Sequence, residues 1–237
     1  MKRAAGLVVL ALLAGGVAVS AAVRPPTEHV LLVGDSIMRQ TGPALARQLG
    51  DGYTVHNDAV NGSGLLTPAL FDWSDQLEQD VVRTDPDVVV FLFIGNYTDN
   101  PAEFWTTASG RRIRDVGSAA FTREWGRQAD AAMAAIAETG APVVLVLPPP
   151  MASDELQAVV DRLRVEYERV AADWPFVRLV DAADAVGGPN GEWVSQLPDA
   201  DGRLLYVRVP DTVHLAEHGQ RLLARDIAPV VRATTQD

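Results

Sequence analysis

The chain has 237 residues, 48% of them hydrophobic, with 31 acidic side chains against 20 Lys and Arg and a net charge of −11. That apolar content is enough for the core of one globular domain, and so acidic a balance argues against a nucleic-acid partner, because phosphate binding wants a basic face. There is no cysteine, which excludes disulfides, a lipidated thiol and thiolate metal sites.

In chain order, Met1-Lys2-Arg3 is a short basic start, and Ala4 to Val23 is a continuous apolar run. Ala18-Val19-Ser20 and Ser20-Ala21-Ala22 both have the small-residue spacing of a cleavage site. Residues 1–25 are therefore expected to be a signal peptide or, since the run is long enough to span a bilayer, an uncleaved N-terminal membrane anchor. Either way the remainder, 28–237, is expected to form a single domain outside the cytoplasmic membrane, secreted or tethered to it. Removal of Lys2 and Arg3 with the leader would take the charge from −11 to about −13.

The domain opens with His29-Val-Leu-Leu-Val-Gly-Asp-Ser36, an apolar run that ends in a tight turn. An amphipathic pattern, Ile37 to Leu49, follows it. This reads as a buried strand, a turn and a helix. The turn sets Ser36 at the carboxyl end of a strand and the amino end of a helix. Open α/β sheets bind their ligands at that edge, and a helix N-terminus favours a developing anion. A second strand-like run, Tyr53 to Val60, leads into Asn57-Asp58-Ala59-Val60-Asn61-Gly62-Ser63-Gly64. A third and most apolar run, Asp87 to Ile94, leads into Gly95-Asn96. A glycine turn can present a bare backbone N–H and an Asn side chain can donate its amide, so both can face an oxyanion.

A long irregular stretch, 97–116, contains Trp105 and Arg111-Arg112-Ile113-Arg114 and has the length of a lid or binding loop. Then come a helix (about Ser118 to Thr139), a strand (Pro142 to Leu147) stopped by Pro148-Pro149-Pro150, a helix (Asp154 to Asp173) and a strand (Val177 to Val180). Leu204 to Pro210 reads as a last strand and Leu215 to Arg232 as a last helix, with Asp211-Thr212-Val213-His214 between them. Helices alternating with short apolar strands imply a parallel sheet with helices on both faces. His214 and His218 stand four apart, a metal-ligand spacing, but no third ligand matches them, so no metal and no cofactor are expected.

Four fragments, Gly34-Asp35-Ser36-Ile37, Gly62 within Asn61-Gly62-Ser63-Gly64, Asn96 after Gly95, and Asp211-x-x-His214, come in the order and spacing of the SGNH hydrolases, also called GDSL esterases and lipases. The chain resembles that family over about residues 29–232. The resemblance implies a three-layer α/β/α sandwich around a central parallel sheet, of flavodoxin-like type. It also implies a serine ester hydrolase, with Ser36 as nucleophile, His214 as base and Asp211 orienting it. The backbone N–H of Ser36, the N–H of Gly62 and the side chain of Asn96 would form the oxyanion hole. Gly62 or Gly64 could supply the second N–H, and Ala59-Val60-Asn61-Gly62 gives the better lead-in. There are departures. The third block usually reads Gly-x-Asn-Asp and here is Ile94-Gly95-Asn96-Tyr97, and Leu215 stands where Pro often follows the histidine. No Gly-x-Ser-x-Gly elbow is present, so an ordinary α/β-hydrolase arrangement is excluded.

The activity expected is hydrolysis, or transfer, of short acyl or acetyl esters on a carbohydrate or cell-envelope substrate through an acyl-enzyme. The partner is then a small-molecule or glycan ester. The rival expectation is a catalytically silent binding module on the same fold.

Overall fold

A computed structural model describes residues 27–95, 97, 107, 109–113 and 115–235. The proposed leader, Asn96, Trp105 and Arg114 lie outside the described residues. Among the described residues no helix is long and apolar enough to cross a membrane.

The elements are β1 (Glu28–Gly34), α1 (Ser36–Leu49), β2 (Tyr53–Asn57), α2 (Trp73–Thr84), β3 (Val88–Leu92), α3 (Ala119–Ala137) and β4 (Val143–Leu147). They continue with α4 (Asp154–Asp173), β5 (Val177–Asp181), α5 (Ala182–Val186), β6 (Gln196–Pro198), β7 (Leu204–Tyr206) and α6 (Glu217–Thr234). Five strands form one sheet in the order β2-β1-β3-β4-β5. Every pairing in it is parallel. Val30 to Val33, Val88 to Phe93 and Val143 to Leu147 are all buried, as strands covered on both faces must be. The edge strand β5 instead leaves Arg178 and Leu179 exposed. Helix α1 packs with α6, and α3 packs with both α2 and α4. This is the three-layer α/β/α arrangement that the alternation implies.

Chain order reverses between β1 and β3, and a crevice opens at the carboxyl ends of two strands whose connections run in opposite directions. Ser36 leaves β1 and Gly95 follows β3 at that point. Helix starts are set by short polar caps. Asp35, Asp72, Ser118, Ser153 and Asp181 each accept a backbone N–H from the first turn of the helix that follows.

The last strand differs from expectation. Only Leu204–Tyr206 is extended, and it pairs antiparallel with β6 in a separate hairpin, Gln196 opposite Tyr206. Leu204 and Tyr206 are 64% and 65% exposed, so the run lacks the two buried faces of a strand inside a parallel sheet. The Asp211–His214 turn therefore reaches the sheet edge from outside the sheet. It is held by an isolated bridge between Arg208 and Leu215 and by the docking of α6. Strand β2 ends at Asn57, short of Val60, and 58–64 is a turn region. Helices α2 and α5 have no counterpart in the sequence reading, although Trp73, Leu77 and Val81 form a buried stripe at helical spacing.

Candidate active site

Asp35 fixes the turn that carries Ser36. Its Oδ1 accepts the Ile37 N–H at 2.9 Å and caps α1. Its Oδ2 accepts the N–H groups of Ile94 at 2.7 Å and Gly95 at 3.0 Å, just past the end of β3. One carboxylate thus clamps the start of α1 to the first residues of the third motif. The side chain is buried. Burial raises its pKa, against the opposing pull of the Gly95, Ile94 and Ile37 amides.

The other half of the site is the turn before α6. His214 Nε2 stands 2.7 Å from Ser36 Oγ, and His214 Nδ1 stands 2.7 Å from Asp211 Oδ2. Asp211 Oδ1 accepts the N–H groups of Val213 and His214, both at 2.9 Å. Burial acts to raise the Asp211 pKa, but the hydrogen bonds from the His214 ring and from these two amides prevail and hold it below the usual carboxylate range. An ionised carboxylate can only accept. Nδ1 therefore carries the ring proton, and the Nε2 lone pair faces the serine hydroxyl. The turn itself is closed by Val209 N–H to His214 O at 3.0 Å and Thr212 N–H to Val209 O at 2.9 Å. Thr212 adopts φ +67°, rare for a β-branched residue, and Trp193 Nε1 donates to its carbonyl at 3.0 Å.

The turn after β2 completes the crevice. Val60 N–H donates to Gly34 O at 2.9 Å, and Gly62 takes φ +75°. Ser63 is buried, donates its hydroxyl to Val60 O at 2.8 Å and accepts from Trp73 Nε1 at 2.9 Å. That hydroxyl is occupied structurally. Gly64 is packed inward, where an added Cβ would come within 2.8 Å of Tyr97 Oη and 3.2 Å of Gly95 Cα. Gly62 is partly exposed, and among the described residues neither its N–H nor that of Ser36 has a hydrogen-bond partner. These are the properties wanted of oxyanion donors; the Gly64 N–H is likewise unpaired among the described residues, but Gly64 is buried, and exposure favours Gly62.

Tyr97, which replaces the usual acid of the third motif, is fully buried under this turn. Its ring lies edge-on to Phe121 at 4.9 Å, and its Oη accepts the Leu66 N–H at 3.4 Å. Burial pushes its phenol well above the ordinary value, so it acts as a neutral support beneath Gly64 and Gly95. Asn96 itself lies outside the described residues.

The structure therefore brings Ser36, His214 and Asp211 into one hydrogen-bonded line. The Asp35 clamp and the Trp193 prop hold these turns in place and were missed by the sequence reading. Gly-Asp-Ser marks Asp35 only as a cap, and nothing local marks Trp193. His29 and His56 are neighbours on β1 and β2, with ring centroids 5.4 Å apart. His218 is buried on α6 with Nε2 3.4 Å from Pro198 O. Among the described residues no group of three or more potential ligands could hold a metal ion.

The model of a family described as "Protein of unknown function (DUF459)" matches residues 29–230. No curated protein sequence matches the chain. Among solved structures, an acetyl xylan esterase, AlAXEase, is similar at 20% identity and TM-score 0.58, over 86% of this chain and 99% of that one. A GDSL-like lipase from Bacteroides thetaiotaomicron VPI-5482 is similar at 15% identity and TM-score 0.56, over 87% and 88%. An acetyl esterase mutant with acetate ion is similar at 13% identity and TM-score 0.60, over 89% and 99%. At these identities the likeness is one of fold, and that fold is the SGNH type.

Proposed function

The chain belongs to the DUF459 family of proteins of unknown function, and from its SGNH-type fold and the geometry of its site we propose that it is an extracytoplasmic serine esterase acting on short acyl or acetyl esters of a carbohydrate or envelope component. The observation that carries the reading is the continuous line from Ser36 Oγ to His214 to Asp211, with both links at 2.7 Å.

The chemistry follows from that line. A serine hydroxyl is a poor nucleophile until a base takes its proton. His214 Nε2 accepts that proton as Ser36 Oγ bonds to the ester carbonyl carbon. Asp211, kept ionised by three N–H donors, stabilises the imidazolium that forms. The carbonyl oxygen becomes an oxyanion whose donors are the N–H groups of Ser36 and Gly62 and, as the family resemblance implies, the amide of Asn96. Each such donor supplies about 3 kcal/mol of transition-state stabilisation. The imidazolium then protonates the leaving alcohol, and the C–O bond breaks to leave an acyl-Ser36. Water deprotonated by His214 releases the acid. A sugar hydroxyl entering in place of water would give acyl transfer by the same steps. The apolar leader, acting as a signal peptide or as an anchor, would place the domain outside the cytoplasmic membrane.

The test is p-nitrophenyl acetate hydrolysis. A burst of p-nitrophenol is expected from the wild type. Ser36→Ala is expected to fold and to lose the activity, and a fluorophosphonate is expected to label Ser36. A folded wild type with no hydrolysis and no labelling would make the chain a silent binding module.

A further inference from the structure

Beside the His214 turn lies a pocket of about 500 Å³ that the chemistry above does not use. Its lining includes Trp193, Tyr206, Val209, Pro210 and Thr212, with Arg208 among them. Pro210 and Thr212 flank Asp211 in the chain, so the pocket and the catalytic turn share one piece of backbone. General acid catalysis delivers a proton to the leaving oxygen from His214. A pocket on this turn is thus built on the same stretch of backbone as the group that protonates the leaving alcohol.

Two features define what the pocket would hold. First, Trp193 and Tyr206 bring aromatic surface to it, and Tyr206 is 65% exposed. Aromatic walls with few polar groups suit a flat, partly apolar ligand such as the C–H face of a sugar ring. Second, Arg208 is only 3% exposed and has no acidic partner among the described residues. Its Nη2 donates to Pro150 O at 3.0 Å, but its Nε and Nη1 are buried and hydrogen-bonded to nothing among the described residues. Burial alone lowers its pKa to about 10, so it stays cationic at neutral pH. In a chain with 31 acidic residues, an uncompensated buried cation is costly. It is the arrangement expected where a ligand supplies the missing anion. Arg208 is one of the residues that line the pocket, and a charge in such a poorly solvated setting attracts an anion strongly.

We propose that this pocket is the subsite for the alcohol part of the substrate and that it selects a sugar bearing a carboxylate, a uronic acid, whose charge is met by Arg208. One cation matches a monoanion, whereas a phosphate dianion would leave a charge unmet in an apolar cavity. The proposal rests on the esterase reading for the identity of the bond cleaved, and on the pocket alone for the ligand.

Binding is therefore tested apart from catalysis, by titrating glucuronate and glucose into the protein carrying Ser36→Ala and following heat or NMR shifts. Glucuronate is expected to bind at least tenfold more tightly than glucose. Adding Arg208→Met is expected to remove that ratio, and Arg208→Lys to keep part of it. Tyr206→Ala, at an exposed position, is expected to weaken both sugars about tenfold, and it carries the test if Arg208→Met fails to fold. In the active protein, kcat/KM for O-acetylated glucuronate should exceed that for O-acetylated glucose by a similar factor. Equal affinity for the two sugars, an unchanged ratio in Arg208→Met, full affinity in Tyr206→Ala, or tighter binding of glucose 6-phosphate would each overturn the proposal. Arg208-dependent binding of glucuronate by a protein that does not hydrolyse p-nitrophenyl acetate would remove the esterase reading and leave the pocket standing.

Discussion

Each carboxylate near Ser36 has a different task, set by what it touches. Asp211 meets an imidazole and two amides and stays ionised. Converting it to Asn removes the acceptor that fixes the His214 tautomer, and kcat should fall by up to ~10⁴ with the fold intact. Steady-state kinetics beside a thermal melt would check this, and activity near wild type would reduce the Asp211–His214 pair to a capped turn. Asp35 touches no reacting atom in this scheme and is a positioning residue. In Asp35→Asn an amide nitrogen or a single oxygen must face the N–H groups of Ile94 and Gly95 together with that of Ile37. At least one buried donor is left unpaired, at about 1–3 kcal/mol. Because Gly95 adjoins Asn96, kcat should drop while KM changes little. A rise in KM at constant kcat would show that the clamp shapes substrate binding instead. In the proposed scheme Asn96→Ala should lower kcat by ~10²–10³ with KM nearly constant, because an oxyanion donor acts on charge that exists only in the transition state.

At the scale of elements, the placement of Ser36 depends on how closely β1 and β3 end side by side. A Cβ on Gly34 would lie 2.2 Å from Leu92 O and 2.8 Å from Met38 Cβ. Gly34→Ala must therefore part the two strands at the point where Ser36 leaves the sheet. We expect a loss of about 3 kcal/mol in urea unfolding together with loss of activity, and a variant of wild-type stability would contradict the packing described. The strands with two buried faces were legible because their runs are continuously apolar. Helices α1, α3, α4 and α6 were legible because their apolar positions recur at helical spacing. The β6–β7 hairpin was not legible, since Leu204 to Pro210 is an almost continuously apolar run like those of the buried strands and no local residue says which partner it takes. The same limit applies to the site. Ser36, Asp211 and His214 sit in short motifs. The Asp35 clamp joins residues 59 and 60 apart in sequence, and the burial of Arg208 depends on Pro150, 58 residues away.

For the whole molecule, an excess of acidic groups makes stability a function of pH. Asp181 is pushed up by burial but is held below the ordinary range by hydrogen bonds from Arg164 and from the Ala183 amide. Asp199 and Asp211 are lowered as well, by Arg203 and by the His214 turn respectively. A carboxylate with a depressed folded pKa contributes stability above its unfolded value, near 3.9, and loses it as pH falls through the folded value. Asp35, whose pKa is raised, has the opposite sign. Its contribution is complete below the unfolded value and is lost as pH rises through the folded one. Asp211 is more open to solvent than Asp181, and Asp199 pairs with an Arg203 side chain that is largely exposed, so screening reduces what both supply. The Arg164–Asp181 pair is the best shielded of the three, with 25% and 29% of the side chains exposed, and it ties α4 to the carboxyl end of β5. Urea unfolding should therefore show stability falling as pH drops below the ordinary carboxylate value, near 3.9. Arg164→Met should cost about 2 kcal/mol at pH 6 and flatten that fall, because Asp181 then titrates near its unfolded value. Wild-type and variant curves that run parallel through this range would place the acid sensitivity elsewhere in the molecule.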